Sequence, residues 1–243
     1  MVQRHREKYV PRKRILAIVR TFGIYRGLTW RSRYSQTQKT VAKIIKKSGI
    51  SVVDVIDFGC GQARRDKKSF SPTAEVFKNL LQHNGIRVFG YAGIDPAVDN
   101  SKVRGIDYVR QDAQTYLESI PKLKQNLVVA LRLREHLPEF SQGLFQKNLW
   151  EKLPENGFLL TDAFLAKTTR LFEDTRDEDN VVARAIVLVR KVKGQPVIMH
   201  LNVTSTIEEF RNSSGRKRIA QFIESNYDPT KHAINCERLL QNQ

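Results

Sequence analysis

The amino-acid sequence predicts an α/β fold, a mostly parallel sheet with helices on both faces and a C-terminal antiparallel hairpin. Between residues 52 and 163, apolar runs of strand length alternate with segments of helical period, and strands separated by helices favour parallel pairing. The run at 52–58 is rich in Val and Ile, as in a central strand that is buried on both faces. Segments 185–191 and 196–204 are apolar and flank a turn at 192–195, which predicts the hairpin.

The individual elements follow from capping residues and from the period of the apolar positions. Ser35 is a candidate N-cap for a helix that runs to about Ser48, and Ser71 and Pro72 predict the cap and first residue of another. Residues 173–179 are mostly acidic and predict a loop. The predicted strands before the hairpin lie at 52–57, 87–94, 107–110, 126–131 and 157–163. The predicted helices lie at 15–22, 35–48, 72–83, 113–119, 140–150 and 216–225, the last of which begins with three basic residues.

Length and composition predict one folded domain with appendages. A chain of 243 residues can bury one substantial core, and we expect a basic arm and helix at 1–34, the α/β domain at 35–206 and a helical extension at 207–243. No apolar run approaches the ~18 residues of a membrane helix, so we expect no membrane span. Cys60 and Cys236 are too few for a disulfide framework, and the histidines lack metal-ligand spacing, so we expect free thiols, a reducing compartment and no metal.

The positive charge is concentrated at the N-terminus. Residues 1–50 hold fourteen Lys or Arg and one acidic residue, a net charge of +13, whereas the other 193 residues carry +4. Clustered cations neutralise phosphates, and the interleaved Tyr25, Trp30 and Tyr34 can stack on unpaired bases, which favours an RNA-binding arm. Two other interpretations stay open, an organelle transit segment and a solvated tail followed by a packed helix. The expected location is cytoplasmic, or an organelle if the segment is a transit sequence.

The sequence DFGCG at 57–61 predicts a ligand site. Asp57 ends the first predicted strand, where open α/β sheets bind their ligands. Gly59 and Gly61 lack β-carbons, so the backbone can turn sharply and approach a ligand closely. A nucleotide-like ligand fits this pattern. A dinucleotide does not, because its fingerprint requires a third glycine at position 64, which is Arg64.

Two further acidic residues follow the next two predicted strands. Asp95 ends the segment GID, and Asp112 lies in RQDA just before a predicted helix. A carboxylate accepts hydrogen bonds from hydroxyl or amino groups of a nucleoside. Each residue could instead cap a helix, and these alternatives stay open at the level of sequence.

The chain resembles the class I S-adenosylmethionine-dependent methyltransferases over residues 36–206. The resemblance rests on DFGCG at 57–61, GID at 93–95, RQDA at 110–113 and NLVVALRLREHLPE at 126–139, which contains the Glu-His-x-Pro that is frequent in the family. It implies a Rossmann-like sheet and S-adenosylmethionine as cofactor. By the family pattern, Asp95 binds the ribose and Asp112 the adenine, whereas the methionine part is held by Asp57, Gly59, Cys60 and Gly61.

The resemblance and the charge together predict a methyltransferase that acts on RNA. Glu135 and His136 are the candidate catalytic residues, since a histidine can take up a proton near neutral pH; the alternative, that they only begin the loop before Pro138, stays open. The candidate substrate-binding residues are Arg132, Arg134, Arg64, Arg65 and Trp30. One alternative is a methyltransferase for a small anionic molecule or a protein. Another is an inactive fold of this type that binds RNA or a partner.

Overall fold

The predicted fold class is confirmed by the computed structural model, which is of the Rossmann-like type. The structure describes residues 30–60, 73–131, 133, 137, 139–167, 180–205, 207–231 and 233–241. Within these residues nine strands form one sheet in the order β3-β4-β2-β1-β5-β6-β7-β8, and β9 pairs with β6. The strands are β1 (Val52–Phe58), β2 (Arg87–Ile94), β3 (Ser101–Val103), β4 (Ile106–Val109), β5 (Leu127–Ala130), β6 (Phe158–Ala166), β7 (Val181–Val192), β8 (Gln195–Ser205) and β9 (Ala233–Asn235).

Six α-helices accompany the sheet in the described part of the chain. They are α1 (Trp30–Lys47), α2 (Thr73–His83), α3 (Ala113–Ser119), α4 (Glu139–Lys152), α5 (Ser213–Asn226) and α6 (Glu237–Gln241). A short 3₁₀ helix, Glu208–Phe210, precedes α5. The predicted parallel core and the C-terminal hairpin are both present.

The sheet reverses its strand order between β1 and β5. Strands β4, β2, β1, β5 and β6 are parallel and stand in the doubly wound order 3-2-1-4-5. The hairpin of β7 and β8 continues the sheet antiparallel to β6. Ligands of open α/β sheets bind at the carboxyl ends of the strands beside such a reversal. The fold therefore predicts a ligand site at the carboxyl ends of β1 and β5.

Alternate residues of the central strand enter two separate cores. Val53 and Val55 face the core that α1 and α2 cover. Ile56 and Phe58 face the other core, which includes residues of α3, α4 and α5. Because side chains alternate across a strand, Asp57 belongs to the face covered by α1 and α2.

Some predicted details are wrong at the two ends of the chain. The first described helix begins at Trp30, so Ser35 lies inside it and is not its N-cap. The C-terminal region contains a strand, β9, in addition to helices. β9 pairs with the last three residues of β6, beyond the point where β5 ends. The helix at 15–22 and the acidic loop at 173–179 lie outside the described residues.

Candidate functional site

The predicted acidic residues lie at one edge of the sheet. Asp57 is opposite Gly93 in the pairing of β1 and β2, and Asp95 follows β2 directly. Ile94 in turn is opposite Val109 of β4, and the Asp95 N–H donates to the Val109 carbonyl over 3.2 Å. Since these strands are parallel, their carboxyl ends meet at the same edge. This edge, with the ends of β1, β2, β4 and β5, is called the carboxyl edge below.

Asp57 is a buried carboxyl group with a tyrosine partner. Only 5% of the residue is exposed, and its Oδ2 accepts a hydrogen bond of 3.0 Å from the Tyr91 hydroxyl. Burial raises the pKa of Asp57 from 3.8 to about 7, while the Tyr91 hydrogen bond opposes this rise and the charge of Asp95 adds to it. The site therefore holds a carboxyl group that gains or loses its proton near neutral pH.

Two glycines allow the backbone to close around this carboxyl group. Gly59 has a φ of 72°, which favours glycine, and its N–H donates to the Ile94 carbonyl over 2.8 Å. A β-carbon on Gly93 would lie 2.8 Å from Cys60 Sγ and 3.1 Å from a Tyr108 ring carbon. Cys60 is itself buried, and burial raises its thiol pKa, so this cysteine fills space beneath the turn and stays protonated.

Asp95 closes a turn and does not cap a helix. Its Oδ1 accepts a hydrogen bond of 2.8 Å from the Ala97 N–H, and the residues after it form turns and a short antiparallel strand. The helix-cap alternative is therefore wrong for this residue. Asp95 is half-buried, so its carboxylate reaches the surface of the carboxyl edge.

Asp112 is the N-cap of α3. Its Oδ1 accepts a hydrogen bond of 3.0 Å from the Thr115 N–H, and a second from the Thr115 hydroxyl at 3.3 Å. The cap alternative is thus correct. A role toward a ligand remains compatible with it, because Asp112 is exposed and both bonds end on one of its two oxygens.

The loop after β5 lies against the glycine turn. Leu133 and Leu137 are buried, and Leu133 Cδ1 lies 3.1 Å from the position of a β-carbon on Gly59. Several predicted site residues lie outside the described part of the chain. In the loop after β5 these are Arg132, Arg134, Glu135 and His136, and after Cys60 they are Gly61, Arg64 and Arg65.

Helix α1 extends from the opposite edge toward this site. Residues 48–51 connect it directly to the start of β1, and Lys46 near its end donates to the Gly85 carbonyl just before β2. A helix of 18 residues is ~27 Å long, slightly longer than a seven-residue strand. The amino end of α1 at Trp30 is therefore directed toward the carboxyl edge; the side chain of Trp30 is outside the described part.

Tyr91 is the contact that the sequence prediction missed. It lies 34 residues from Asp57, and no local motif marks it. Side chains alternate along β2, so Tyr91 and Gly93 lie on the same face of the sheet. Because Gly93 pairs with Asp57, this alternation could have indicated that Tyr91 lies near Asp57.

The described residues include no group of three or more His, Cys, Asp or Glu that could hold a metal ion. Both cysteines are unbridged. None of the helices in the described ranges is long and apolar enough to cross a membrane.

The solved structures that are similar to this chain include methyltransferases. One is a SAM-dependent methyltransferase from Archaeoglobus fulgidus, with 17% identity, coverage of 57% of this chain and 58% of that chain, and a TM-score of 0.35. Another is the N-methyltransferase NodS from Bradyrhizobium japonicum WM9 in complex with S-adenosyl-L-homocysteine, with 15% identity, coverage of 60% and 71%, and a TM-score of 0.37.

A third is 1,6-didemethyltoxoflavin-N1-methyltransferase from Burkholderia thailandensis, with 11% identity, coverage of 90% and 80%, and a TM-score of 0.40. No protein-family model and no curated protein matches the chain. The sequence motifs resemble those of methyltransferases, and these solved structures show a similarity of fold to the same class. At these identities it assigns no activity to this chain.

Proposed function

We propose that this protein is an S-adenosylmethionine-dependent methyltransferase. The observation that carries the proposal is the set of acidic residues at the carboxyl edge. Asp57 is the last residue but one of β1, and Asp95 and Asp112 follow the neighbouring parallel strands β2 and β4, beside the reversal of strand order.

The donors and acceptors of this edge fit the cofactor. The buried carboxyl group of Asp57 suits the ammonium group of the methionine part, since a buried charge requires a partner of opposite sign. The half-buried Asp95 can accept hydrogen bonds from two ribose hydroxyls. Asp112 offers an exposed oxygen to the adenine amino group. Gly59 gives the backbone close access to the ligand.

The chain's part in methyl transfer is mainly to position the two reactants. S-adenosylmethionine supplies a methyl group on a positively charged sulfur. Holding the acceptor atom in line with that methyl provides much of the acceleration. Leu133 and Leu137 anchor the loop that carries Glu135 and His136. In our proposal these two residues orient the acceptor and remove its proton.

We propose RNA as the acceptor. The support is the charge of +13 in residues 1–50, together with the course of α1 toward the carboxyl edge. Lys39 and Lys43 lie one turn apart on this helix, and both are exposed. A cationic helix face that leads to the site would guide a polyanion toward it. Arg64, Arg65, Arg132 and Arg134 would add phosphate contacts, and Trp30 would stack on a base.

Cofactor binding and methyl transfer test the first part of the proposal. We expect S-adenosylmethionine to bind the full chain in calorimetry, and we expect tritiated methyl to enter the RNA fraction of a cell extract. Asp95→Asn should weaken both signals strongly, and the matched control Asp99→Asn, four residues further on, should keep them. Absence of binding would contradict the enzyme and leave an inactive fold. Label in protein or metabolites alone would support the methyltransferase and exclude RNA as its acceptor.

The salt dependence of RNA binding tests the second part. Each phosphate contact contributes roughly 0.7 to the slope of log affinity against log salt for a single strand. Replacing both Lys39 and Lys43 by Gln should therefore lower the magnitude of the slope by about 1.4. The control replaces Lys122 and Lys124, which are exposed near the start of β5 at the opposite edge. Equal slopes in both double variants would contradict a role of α1 in RNA binding.

A further inference from the structure

Tyr91 and Asp57 form a buried hydrogen-bonded pair at the proposed cofactor site. Tyr91 is 1% exposed, and its hydroxyl lies 3.0 Å from Asp57 Oδ2. The hydroxyl is thus buried, and it donates its hydrogen to the carboxyl group. A ligand that binds Asp57 therefore meets a carboxyl group with one oxygen, Oδ2, already engaged.

We propose that Tyr91 is a positioning residue: it holds Asp57 as an oriented carboxylate for the ammonium group of the cofactor and thereby couples cofactor binding to the release of a proton from Asp57. This inference rests on the proposed function. The protonated carboxyl group cannot pair with an ammonium group, so binding requires ionisation. The released proton goes to the solvent, and no covalent bond of the cofactor changes.

The surroundings of Asp57 favour this coupling. Among the described residues, Asp95 raises its pKa and Tyr91 lowers it, while burial is the largest cause of the rise to about 7. Cys60 and Tyr108 also sense the charge of Asp57, and both have raised pKa values, so they are neutral near pH 7.

The elements packed on this face add no cation to the described surroundings. On β5, Val129 stands opposite Asp57 and is apolar. From α2, the carboxylate of Glu75 is already paired with Arg104. The buried side chains of α1 are Thr37, Gln38, Val41, Ala42 and Ile45, all uncharged. Tyr91 is therefore the hydrogen-bond donor from β2 that favours the ionised form.

The variant Tyr91→Phe removes only the donating hydroxyl. We expect the pKa of the Asp57 carboxyl group to rise by about one unit, the effect of one hydrogen bond to a charged group. Affinity for S-adenosylhomocysteine, which keeps the ammonium group, should fall about five- to tenfold between pH 6 and 7 and recover near pH 8.5. Tyr108→Phe is the matched control, because Tyr108 is also a buried tyrosine of this face. It should shift neither quantity.

Two measurements keep this inference separate from the proposed function. Calorimetry near pH 6.5, in two buffers of different ionisation enthalpy, counts the protons released on binding. We expect about half a proton or more for the wild type and a larger number for Tyr91→Phe. Binding with no proton release, or with equal release in both proteins, would overturn the inference and leave the methyltransferase intact.

Carboxyl carbon NMR of the ligand-free protein supplies the second measurement. If the wild type binds neither S-adenosylmethionine nor S-adenosylhomocysteine, the proposed function fails and the coupling fails with it. The titration of Asp57 would then still decide whether Tyr91 controls its ionisation. An equal Asp57 pKa in the wild type and in Tyr91→Phe overturns the positioning role in any case.

Discussion

The two edges of the sheet are built from opposite kinds of contacts. At the amino edge, where the parallel strands begin, lysine side chains reach the carbonyl groups that helix ends leave without partners. Lys191 Nζ donates to the carbonyls of Trp150 and Leu153, each over 2.9 Å, at the end of α4. Lys152 Nζ donates to the carbonyls of Leu117 and Ile120 at the end of α3. These contacts bring a positive charge to the negative end of each helix dipole.

At the carboxyl edge, the structure places a buried carboxyl group beside a second acidic residue. Asp57 is buried with a neutral tyrosine as its side-chain partner, and Asp95 lies near enough to raise its pKa. A carboxyl group of this kind costs stability when it ionises. The amino edge thus serves the fold, whereas the carboxyl edge keeps the buried Asp57 at the expense of stability. Such a cost is expected where a cationic ligand completes the site.

The largest expected effect is on the pH dependence of stability in Asp57→Asn. The pKa of Asp57 is about 7 in the folded protein and has its ordinary value of 3.8 in the unfolded chain. Between these values the unfolded state holds fewer protons, so wild-type stability falls as pH rises. The asparagine amide of the variant stays neutral and can still accept from Tyr91. Relative to the wild type, the variant should gain up to about 4 kcal/mol between pH 4 and 8.

Urea unfolding at several pH values measures this gain. Asp99→Asn is the control, because Asp99 is an exposed acid whose ion pair with Arg110 spans 4.0 Å. Its free energy of unfolding should follow the wild type at every pH. A gain for Asp57→Asn that does not change with pH would show that ionisation of Asp57 does not lower the stability of the protein.

The next effect is the loss of cofactor affinity in Asp95→Asn. The amide oxygen can keep the turn bond to the Ala97 N–H, so the local structure is preserved. The amide nitrogen cannot accept from ribose hydroxyls, and we expect about a 100-fold loss, or ~3 kcal/mol. Calorimetry measures the affinity, and thermal unfolding should show no change. An unchanged affinity would remove Asp95 from the cofactor site.

At the amino edge the expected effect is on stability alone. Lys191→Met keeps most of the volume but removes the ammonium group from the carbonyls at the end of α4. We expect a loss of about 2 kcal/mol in the free energy of unfolding and an unchanged cofactor affinity. Lys147→Met is the control, since its ion pair with Glu151 is exposed and contributes ~0.5 kcal/mol. Equal losses in the two variants would contradict a special role for Lys191.

The sequence predicted the elements whose signals are local. Strands such as 52–58 and 87–94 and the helix at 113–119 appear at or within one residue of their predicted limits, because the apolar period and the Asp112 cap are both read from neighbouring residues. The start of α1 was missed because Ser35 has the chemistry of an N-cap, whereas the helix continues back through it to Trp30. Within the helix, the burial of the polar residues Thr37 and Gln38 was likewise not visible in the apolar period.

The missed strand and the missed site contact have a common cause. β9 is three residues long and forms because the last part of β6 has no β5 residue to pair with. Tyr91 meets Asp57 across two strands that are separated in sequence by a helix. Both contacts depend on which strands become neighbours, and no short-range pattern records that choice. The acidic residues were predictable because the end of each strand is marked locally.

The smallest effect separates the two roles of Asp112. Asn is as good an N-cap as Asp, whereas Ala costs about 1 kcal/mol of stability. Asp112→Asn should therefore keep the stability of α3, and Asp112→Ala should lose that amount in urea unfolding. If the free carboxylate oxygen also accepts from the adenine amino group, Asp112→Asn should weaken cofactor binding about fivefold in calorimetry, since the remaining amide oxygen is occupied by Thr115. An unchanged affinity in Asp112→Asn would restrict Asp112 to the cap. In that case only Asp57 and Asp95 would bind the cofactor at the carboxyl edge, and Asp112 would act in folding alone, like the lysines of the amino edge.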